Sequence, residues 1–76
     1  MEKLIEILED IRPDIDFQTE MNMIDNGMLD SFDIVSIISE LNDEFDISIR
    51  VSELKPKNFN SLEAISNMIN RLKNDK

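Results

Sequence analysis

The fold of this chain is most readily inferred from the stretch Asp25–Phe45, DNGMLDSFDIVSIISELNDEF. From Ser31 onward the apolar residues recur at the spacing of one helix face, which predicts a helix from Ser31 to about Phe45. The predicted inner stripe of this helix is Ile34, Ile38, Leu41 and Phe45, flanked by Val35 and Ile37. The residues before Ser31 have no helical period, so this serine marks the point where a loop becomes a helix.

Ser31 is the candidate functional residue of this stretch. A hydroxyl at a helix start is exposed and has backbone N–H groups nearby, and Asp30 and Asp33 give it an acidic surround that suits a basic partner. The sequence has no histidine and no cysteine, so Ser31 cannot be the nucleophile of a catalytic triad. Two interpretations remain: a point of covalent attachment, or a helix N-cap whose replacement by alanine would cost about 1 kcal/mol.

A first helix and a long loop precede this stretch. Apolar residues on one face predict a helix from about Glu2 to Ile11, and Arg12-Pro13 ends it because the residue before proline is pushed out of helical geometry. Asp14 to Asp30 has no sustained period and predicts a loop. Its apolar residues predict that it is pinned over the core: Phe17, Met21, Met23, Ile24 and Leu29. We also expect Met21, Met23, Met28 and Met68 to fill gaps in that core.

A connector, a short turn and a last helix follow. Ile47 to Val51 alternates like a strand, but a single strand has no partner in so small a helical chain, so a connector is predicted. Ser52 to Lys55 predicts one short helical turn before Pro56, and Ser61 is a good N-cap for the last helix. The inward residues of that helix are Leu62, Ile65, Met68, Ile69 and Leu72. Residues 1–76 therefore predict a single all-α domain, a small four-helix bundle with three main helices, one short helix and a long first loop.

Charge and composition argue against several functions. The formal net charge is -9 and no basic residue stands between Arg12 and Arg50, whereas nucleic-acid binding needs clustered Lys and Arg. No apolar run approaches the roughly 20 residues that cross a bilayer, and no signal-peptide core is present, so we expect a cytoplasmic protein.

Calcium binding by the loop is an alternative, but its acids do not match EF-hand spacing, and no metal ligand is assigned. An enzyme is the least expected class, since the only general bases are scattered carboxylates.

Phe32 lies beside the serine and off the predicted apolar stripe. It either packs under the long loop or stays partly exposed as a partner contact, and the pattern favours packing. Acidic residues continue at the other end of the same helix. The candidate partner-binding residues are Asp30, Phe32, Asp33, Asp43 and Glu44.

The chain resembles the acyl carrier proteins over essentially its whole length. The resemblance is carried by Asp25–Val35, by Glu44–Ile47 and by the Asn60-Ser61-Leu62 start of the last helix. In that family the serine of the Asp-Ser pair carries 4'-phosphopantetheine through a phosphodiester, so the resemblance implies that Ser31 bears this covalent cofactor. It also implies a carrier that holds acyl intermediates as thioesters and delivers them to partner enzymes. A carrier needs a thiol, and this chain has no cysteine to supply one.

The resemblance further implies the partners of the protein. They are a phosphopantetheinyl transferase that takes the arm from coenzyme A, an acyl- or aminoacyl-activating ligase, and acyl-processing enzymes that meet a monomeric carrier. The transferase would also need a divalent metal of its own. The acyl chain is expected between helices, against Val35, Ile38, Leu54 and Ile65.

Two other interpretations stay open. Fatty-acid carriers usually have a denser acidic and apolar face on the second helix than this chain, which has Ser36, Ser39 and Asn42 there. The stretches around residues 26–31 and 51–53 are similar to D-alanyl carrier proteins of teichoic-acid modification, although Phe59 lies where those proteins commonly have a tryptophan. An aminoacyl or specialised carrier is therefore one alternative. An unmodified acidic helical module that binds a basic protein is the other.

Overall fold

The computed structural model describes residues 2–74, which form four α-helices and one 3₁₀ turn. The α-helices are α1 (Glu2–Ile11), α2 (Ser31–Phe45), α3 (Pro56–Phe59) and α4 (Leu62–Asn74), and the 3₁₀ turn covers Val51–Glu53. The described residues contain no β-strand, so the predicted all-α class, the helix order and the long first loop are confirmed. The predicted domain also includes Met1, Asp75 and Lys76, which lie outside the described residues.

One hydrophobic core joins the helices. The buried residues of α1 are Leu4, Ile7 and Leu8, and those of α4 are Leu62, Ile65, Met68 and Ile69. The α4 set agrees with its predicted stripe, in which Leu72 is partly buried, and the α1 set lies on the apolar face that predicts that helix, with Ile11 partly buried at the edge of the core. Burial of these apolar faces, rather than helix propensity, is what holds helices of this length together.

The buried stripe of α2 differs from the predicted one. Ile37 and Leu41 are fully buried, whereas the predicted stripe residues Ile34, Ile38 and Phe45 are only partly buried. The sequence pattern places Ile37 at the flank of the stripe, and the structure places it at the centre. The exposed edge of α2 is therefore more apolar than predicted.

The long loop between α1 and α2 is fastened to the turn that precedes α4. Asn60 Oδ1 accepts hydrogen bonds from the backbone N–H groups of Ile24 (2.9 Å) and Asp25 (3.2 Å), and the Asn60 carbonyl accepts one from Met23 (2.9 Å). Phe17, Met23 and Leu29 are buried and Ile24 and Met28 are partly buried, which confirms the pinned loop. Met21 is 61 % exposed, so its prediction as a core residue is wrong.

The segment between α2 and α4 differs from the prediction in one respect. Ile47 and Ile49 are buried in an irregular connector, as predicted, and Asn42 Oδ1 accepts a hydrogen bond of 2.9 Å from the Ile49 N–H. The predicted short turn before Pro56 is present as the 3₁₀ turn Val51–Glu53, but a further short helix, which was not predicted, starts at Pro56. Proline suits a first helical position, because its missing N–H would have no partner there and its backbone angle is already helical.

The start of α4 is capped as predicted. Ser61 Oγ accepts a hydrogen bond of 3.1 Å from the Ala64 N–H, three residues further along the chain.

Among residues 2–74 no helix combines the length and the apolar character that a bilayer-spanning segment needs.

Glu53 ties the 3₁₀ turn to α4. Arg71 donates two hydrogen bonds to the Glu53 carboxylate, at 3.0 and 2.6 Å, and Asn58 donates to the Glu53 carbonyl at 2.8 Å. The Arg71 guanidinium lowers the pKa of Glu53 below its ordinary value of 4.5. A carboxylate with a lowered pKa stabilises the folded chain at neutral pH, and that contribution is lost as the pH falls through the folded-state pKa.

The Glu53→Gln variant is therefore expected to be less stable than the wild type above about pH 5 and equally stable at low pH, below both pKa values. Urea unfolding midpoints measured across the acid range test this expectation. Glu40→Gln is the matched control, because Glu40 is exposed and makes no ion pair among the described residues. A difference that persists unchanged into acid would contradict the ion pair as its cause.

Candidate functional site

Two aspartates cap the first turn of α2. Asp30 is the N-cap, and its carboxylate accepts a hydrogen bond of 2.9 Å from the Asp33 N–H. Asp33 Oδ2 accepts one of 3.2 Å from the Asp30 N–H, which completes a capping box. Ser31 is the first helical residue and is exposed, so its interpretation as the N-cap is wrong. Its hydroxyl has no part in closing the helix.

Arg12 connects the end of α1 to this first turn. Its guanidinium donates to the Met28 carbonyl at 2.8 Å, to Asp33 Oδ2 at 2.5 Å and to both carboxylate oxygens of Asp14. These hydrogen bonds raise the pKa of Arg12 and lower that of Asp14. The start of α2 is thus held in place from the loop side, and the charge of Asp33 is neutralised.

The role of Arg12 was not predicted from the sequence, where this residue serves only to mark the end of α1. One signal was available in the sequence. Arg12 is the only basic residue between Lys3 and Arg50, so it is the only cation within that stretch with which the acids of the loop and of α2 can form an ion pair. Which acids it binds depends on long-range packing, and Asp33 lies 21 positions away.

A cleft of about 540 Å³ opens beside Ser31, between the start of α2 and the segment that carries α3. Its lining residues are Ile24, Leu29, Asp30, Ser31, Ile34, Val35, Leu54, Lys55, Pro56 and Phe59. Val35 and Leu54 are predicted to meet an acyl chain, and both line the cleft. Ile38 and Ile65, predicted with them, do not; Ile65 is fully buried in the closed core. The cleft lies nearer the start of α2 than the pattern indicated.

Phe32 is 84 % exposed, so the favoured expectation that it packs under the loop is wrong. The loop is held to Asn60 and to Arg12 instead, and Phe32 points away from the buried stripe because it lies off the Ile37 and Leu41 face. Val35, about one turn further along α2, is 66 % exposed. Ser31 is therefore bordered by apolar side chains that the fold leaves uncovered.

The predicted acidic partner contacts do not form one cluster. Asp43 and Glu44 lie twelve and thirteen positions after Ser31 on the same helix, which places them about 18 Å away along its axis. Glu44 forms an exposed ion pair with Lys3 at 3.6 Å. The Asp33 side chain is 14 % exposed and bound to Arg12. Of the candidate partner residues, Asp30 and Phe32 are the exposed ones next to the serine.

The first turn of α2 suits a covalently linked phosphate. The N–H groups of Ser31 and Phe32 make no hydrogen bond within residues 2–74, and a helix N-terminus favours negative charge through its dipole and such unpaired donors. The apolar cleft beside the hydroxyl can receive the uncharged remainder of an arm attached there. Across the described residues, no group of three or more acidic side chains is placed to hold a metal ion.

Comparison with known proteins agrees with this geometry. Residues 2–69 match the family model described as the phosphopantetheine attachment site. The chain is 33 % identical over 73 residues to the D-alanyl carrier protein of Streptococcus sanguinis strain SK36, covering 95 % of this chain and 92 % of that protein. With the same coverage it is 30 % identical to the D-alanyl carrier protein of Lactobacillus acidophilus and 32 % identical to that of Streptococcus gordonii.

These matches span nearly the whole chain, and they concern proteins that carry groups instead of transforming them. The all-α bundle, the long first loop and the exposed serine at the start of α2 fit the same description. The chain therefore belongs to the phosphopantetheine attachment site family and is a non-catalytic carrier protein with a covalently attached 4'-phosphopantetheine cofactor.

Proposed function

We propose that Ser31 is the residue that carries the 4'-phosphopantetheine arm. The observation that supports this most is the division of roles in the first turn of α2: Asp30 caps the helix, and the Ser31 hydroxyl stays exposed at the edge of the apolar cleft. A serine needed for capping would be held against the backbone, whereas a modified serine must be reachable by another enzyme. Ser31 meets the second requirement.

The loading step follows from this assignment. The Ser31 oxygen attacks the phosphorus next to the pantetheine part of coenzyme A and forms the phosphodiester. The bond to the second phosphate breaks, the adenosine half leaves with that phosphate, and the hydroxyl proton passes to the transferase. Any divalent metal that helps this step belongs to the transferase. The arm supplies the thiol on which a group is carried as a thioester.

The contribution of this chain is to present the serine. Arg12 fixes the first turn to the loop at Met28, and Asn60 fixes the loop to the start of α4. These hydrogen bonds therefore hold Ser31 in place although a long loop precedes it. Asp30 and Phe32 are the exposed neighbours that a transferase or client enzyme would contact first, and Asp43 and Glu44 would extend the contact toward the other end of α2.

We further propose that the carried group is an aminoacyl group, D-alanine being the first candidate. The relatives named D-alanyl carrier protein support this choice, and Ser36 and Ser39 on the exposed part of α2 also distinguish it from a typical fatty-acid carrier. A fatty-acyl group is the second candidate, favoured by the apolar lining of the cleft. In either case the partners are a transferase, an activating ligase and the enzymes that use the thioester.

We also propose that the protein acts as a cytoplasmic monomer. Its formal net charge of -9 makes identical chains repel one another, and the coenzyme A needed for loading is available in the cytoplasm.

Loading tests the attachment proposal. Incubation with a broad-specificity phosphopantetheinyl transferase, magnesium and coenzyme A is expected to raise the intact mass of the protein by one phosphopantetheine. An unchanged mass after the transferase has loaded a known carrier would favour the alternative of an unmodified interaction module.

The carried group is tested with the loaded protein. A ligase that activates D-alanine is expected to add one D-alanyl group as a thioester, which hydroxylamine removes, while a fatty-acyl ligase adds none. Exclusive fatty acylation would replace D-alanine by the second candidate without affecting the attachment site.

A further inference from the structure

We propose that the Lys55 ammonium binds the phosphodiester of the arm and directs the arm along the cleft. This inference rests on the proposed attachment at Ser31. Lys55 lines the cleft together with Ser31 and Asp30, and it is the one basic residue in that lining as the structure describes it. The proposal therefore adds a residue from the α3 segment to a site otherwise built by α2 and its loop.

Lys55 is available to bind a phosphate because its side chain is exposed and, although its charge helps to lower the pKa of Glu53, Arg71 is the cation that binds that carboxylate. Its ammonium makes no hydrogen bond or ion pair within the described part of the chain. Arg12, the basic residue that contacts the first turn of α2, is bound to Asp14, Asp33 and the Met28 carbonyl. Of these two cations, Lys55 alone can bind an added phosphate without breaking an existing hydrogen bond or ion pair.

A cation at this position would offset a local repulsion. Asp30 lies directly before Ser31 and lines the same cleft, so its carboxylate repels a phosphate on the Ser31 oxygen. The dipole of α2 offsets only part of that repulsion, because Asp30 already caps the helix. Lysine suits this position, because its flexible stem can lie along apolar neighbours such as Leu54 and Pro56 while its ammonium meets the phosphate as a point charge.

The two ends of the arm would then have different surroundings. Its phosphate end would be held between the first turn of α2 and Lys55, and its uncharged part would follow the apolar side chains of the cleft. Lys57, two residues further on, does not line this cleft and serves as the matched control.

The NMR resonances of the lysine side-chain carbons, compared between the unloaded and the loaded protein at one pH, test the proposal. Loading is expected to shift the Lys55 resonances next to the ammonium and to leave those of Lys57 in place, because only Lys55 of the two lines the cleft.

A second measurement observes the phosphate of the arm directly. Lys55→Gln is expected to shift the phosphorus NMR resonance of the loaded protein, and Lys57→Gln to leave it in place. Both lysines are exposed, so neither change should unfold the chain. Equal resonance shifts at the two lysines, or a phosphorus resonance insensitive to Lys55→Gln, would overturn this inference while leaving the attachment proposal intact. Failure to load the wild type at all would instead contradict the attachment proposal.

Discussion

Replacing Ser31 by alanine is expected to abolish loading by a phosphopantetheinyl transferase completely while leaving the fold intact. The loss should be complete because the proposed phosphodiester uses the Ser31 oxygen, and no neighbouring hydroxyl occupies the first position of α2. The fold should survive because Asp30 and Asp33 close the helix without the serine hydroxyl. An exposed substitution of this kind changes the free energy of unfolding by less than about 0.5 kcal/mol.

Intact-mass measurement after transferase treatment gives the first readout, and a urea unfolding curve gives the second. Ser36→Ala is the matched control, because Ser36 is also an exposed serine on α2 and lies more than one turn further along the helix. It is expected to load like the wild type. Loading of Ser31→Ala, or loss of loading together with loss of the folded state, would contradict a purely chemical role for this hydroxyl.

The second large effect concerns stability. Phe59 is 2 % exposed and forms part of both the core and the cleft, so Phe59→Ala is expected to lower the free energy of unfolding by about 3–5 kcal/mol. Small domains are stabilised by only about 5 kcal/mol at the lower end of the usual range, so this variant should be largely unfolded at moderate urea concentrations.

Phe32→Ala is the control for the same change of side chain. Phe32 is 84 % exposed, and its removal is expected to change the unfolding free energy by less than about 0.5 kcal/mol. Chemical denaturation of the two variants, followed by circular dichroism, measures both values. Equal destabilisation would mean that Phe32 packs under the loop after all.

Local patterns predicted the helices well. The α1 and α2 bounds and the Ser61 cap follow from apolar spacing and from side chains that act within one turn. The Asp30 cap could also have been predicted, because Asp30 and Asp33 have the spacing of a capping box and Ser31 and Ile34 do not form one. The sequence therefore contains a local signal for an aspartate cap that leaves the serine hydroxyl free of the backbone.

Other features depend on tertiary contacts that no local pattern contains. The Arg12 contacts join residues up to 21 positions apart, and the exposure of Phe32 depends on how the long loop is drawn toward Asn60. The cleft forms where the Lys55–Phe59 region approaches the start of α2. Lys55 and Ser31 are far apart in the sequence, so no sequence spacing could predict that both line this cleft. Ile65 could not be excluded from the cleft by its pattern, because burial and cleft lining give the same apolar signal in a sequence.

We propose that one hydroxyl at the start of α2, that of Ser31, anchors the arm. Proteolysis of the loaded protein followed by tandem mass spectrometry tests it most directly, since fragment masses assign the modification to a single residue. We expect phosphopantetheine on Ser31 and on no other serine or threonine. A modification found on any other residue would contradict it, even if the intact mass had risen as expected.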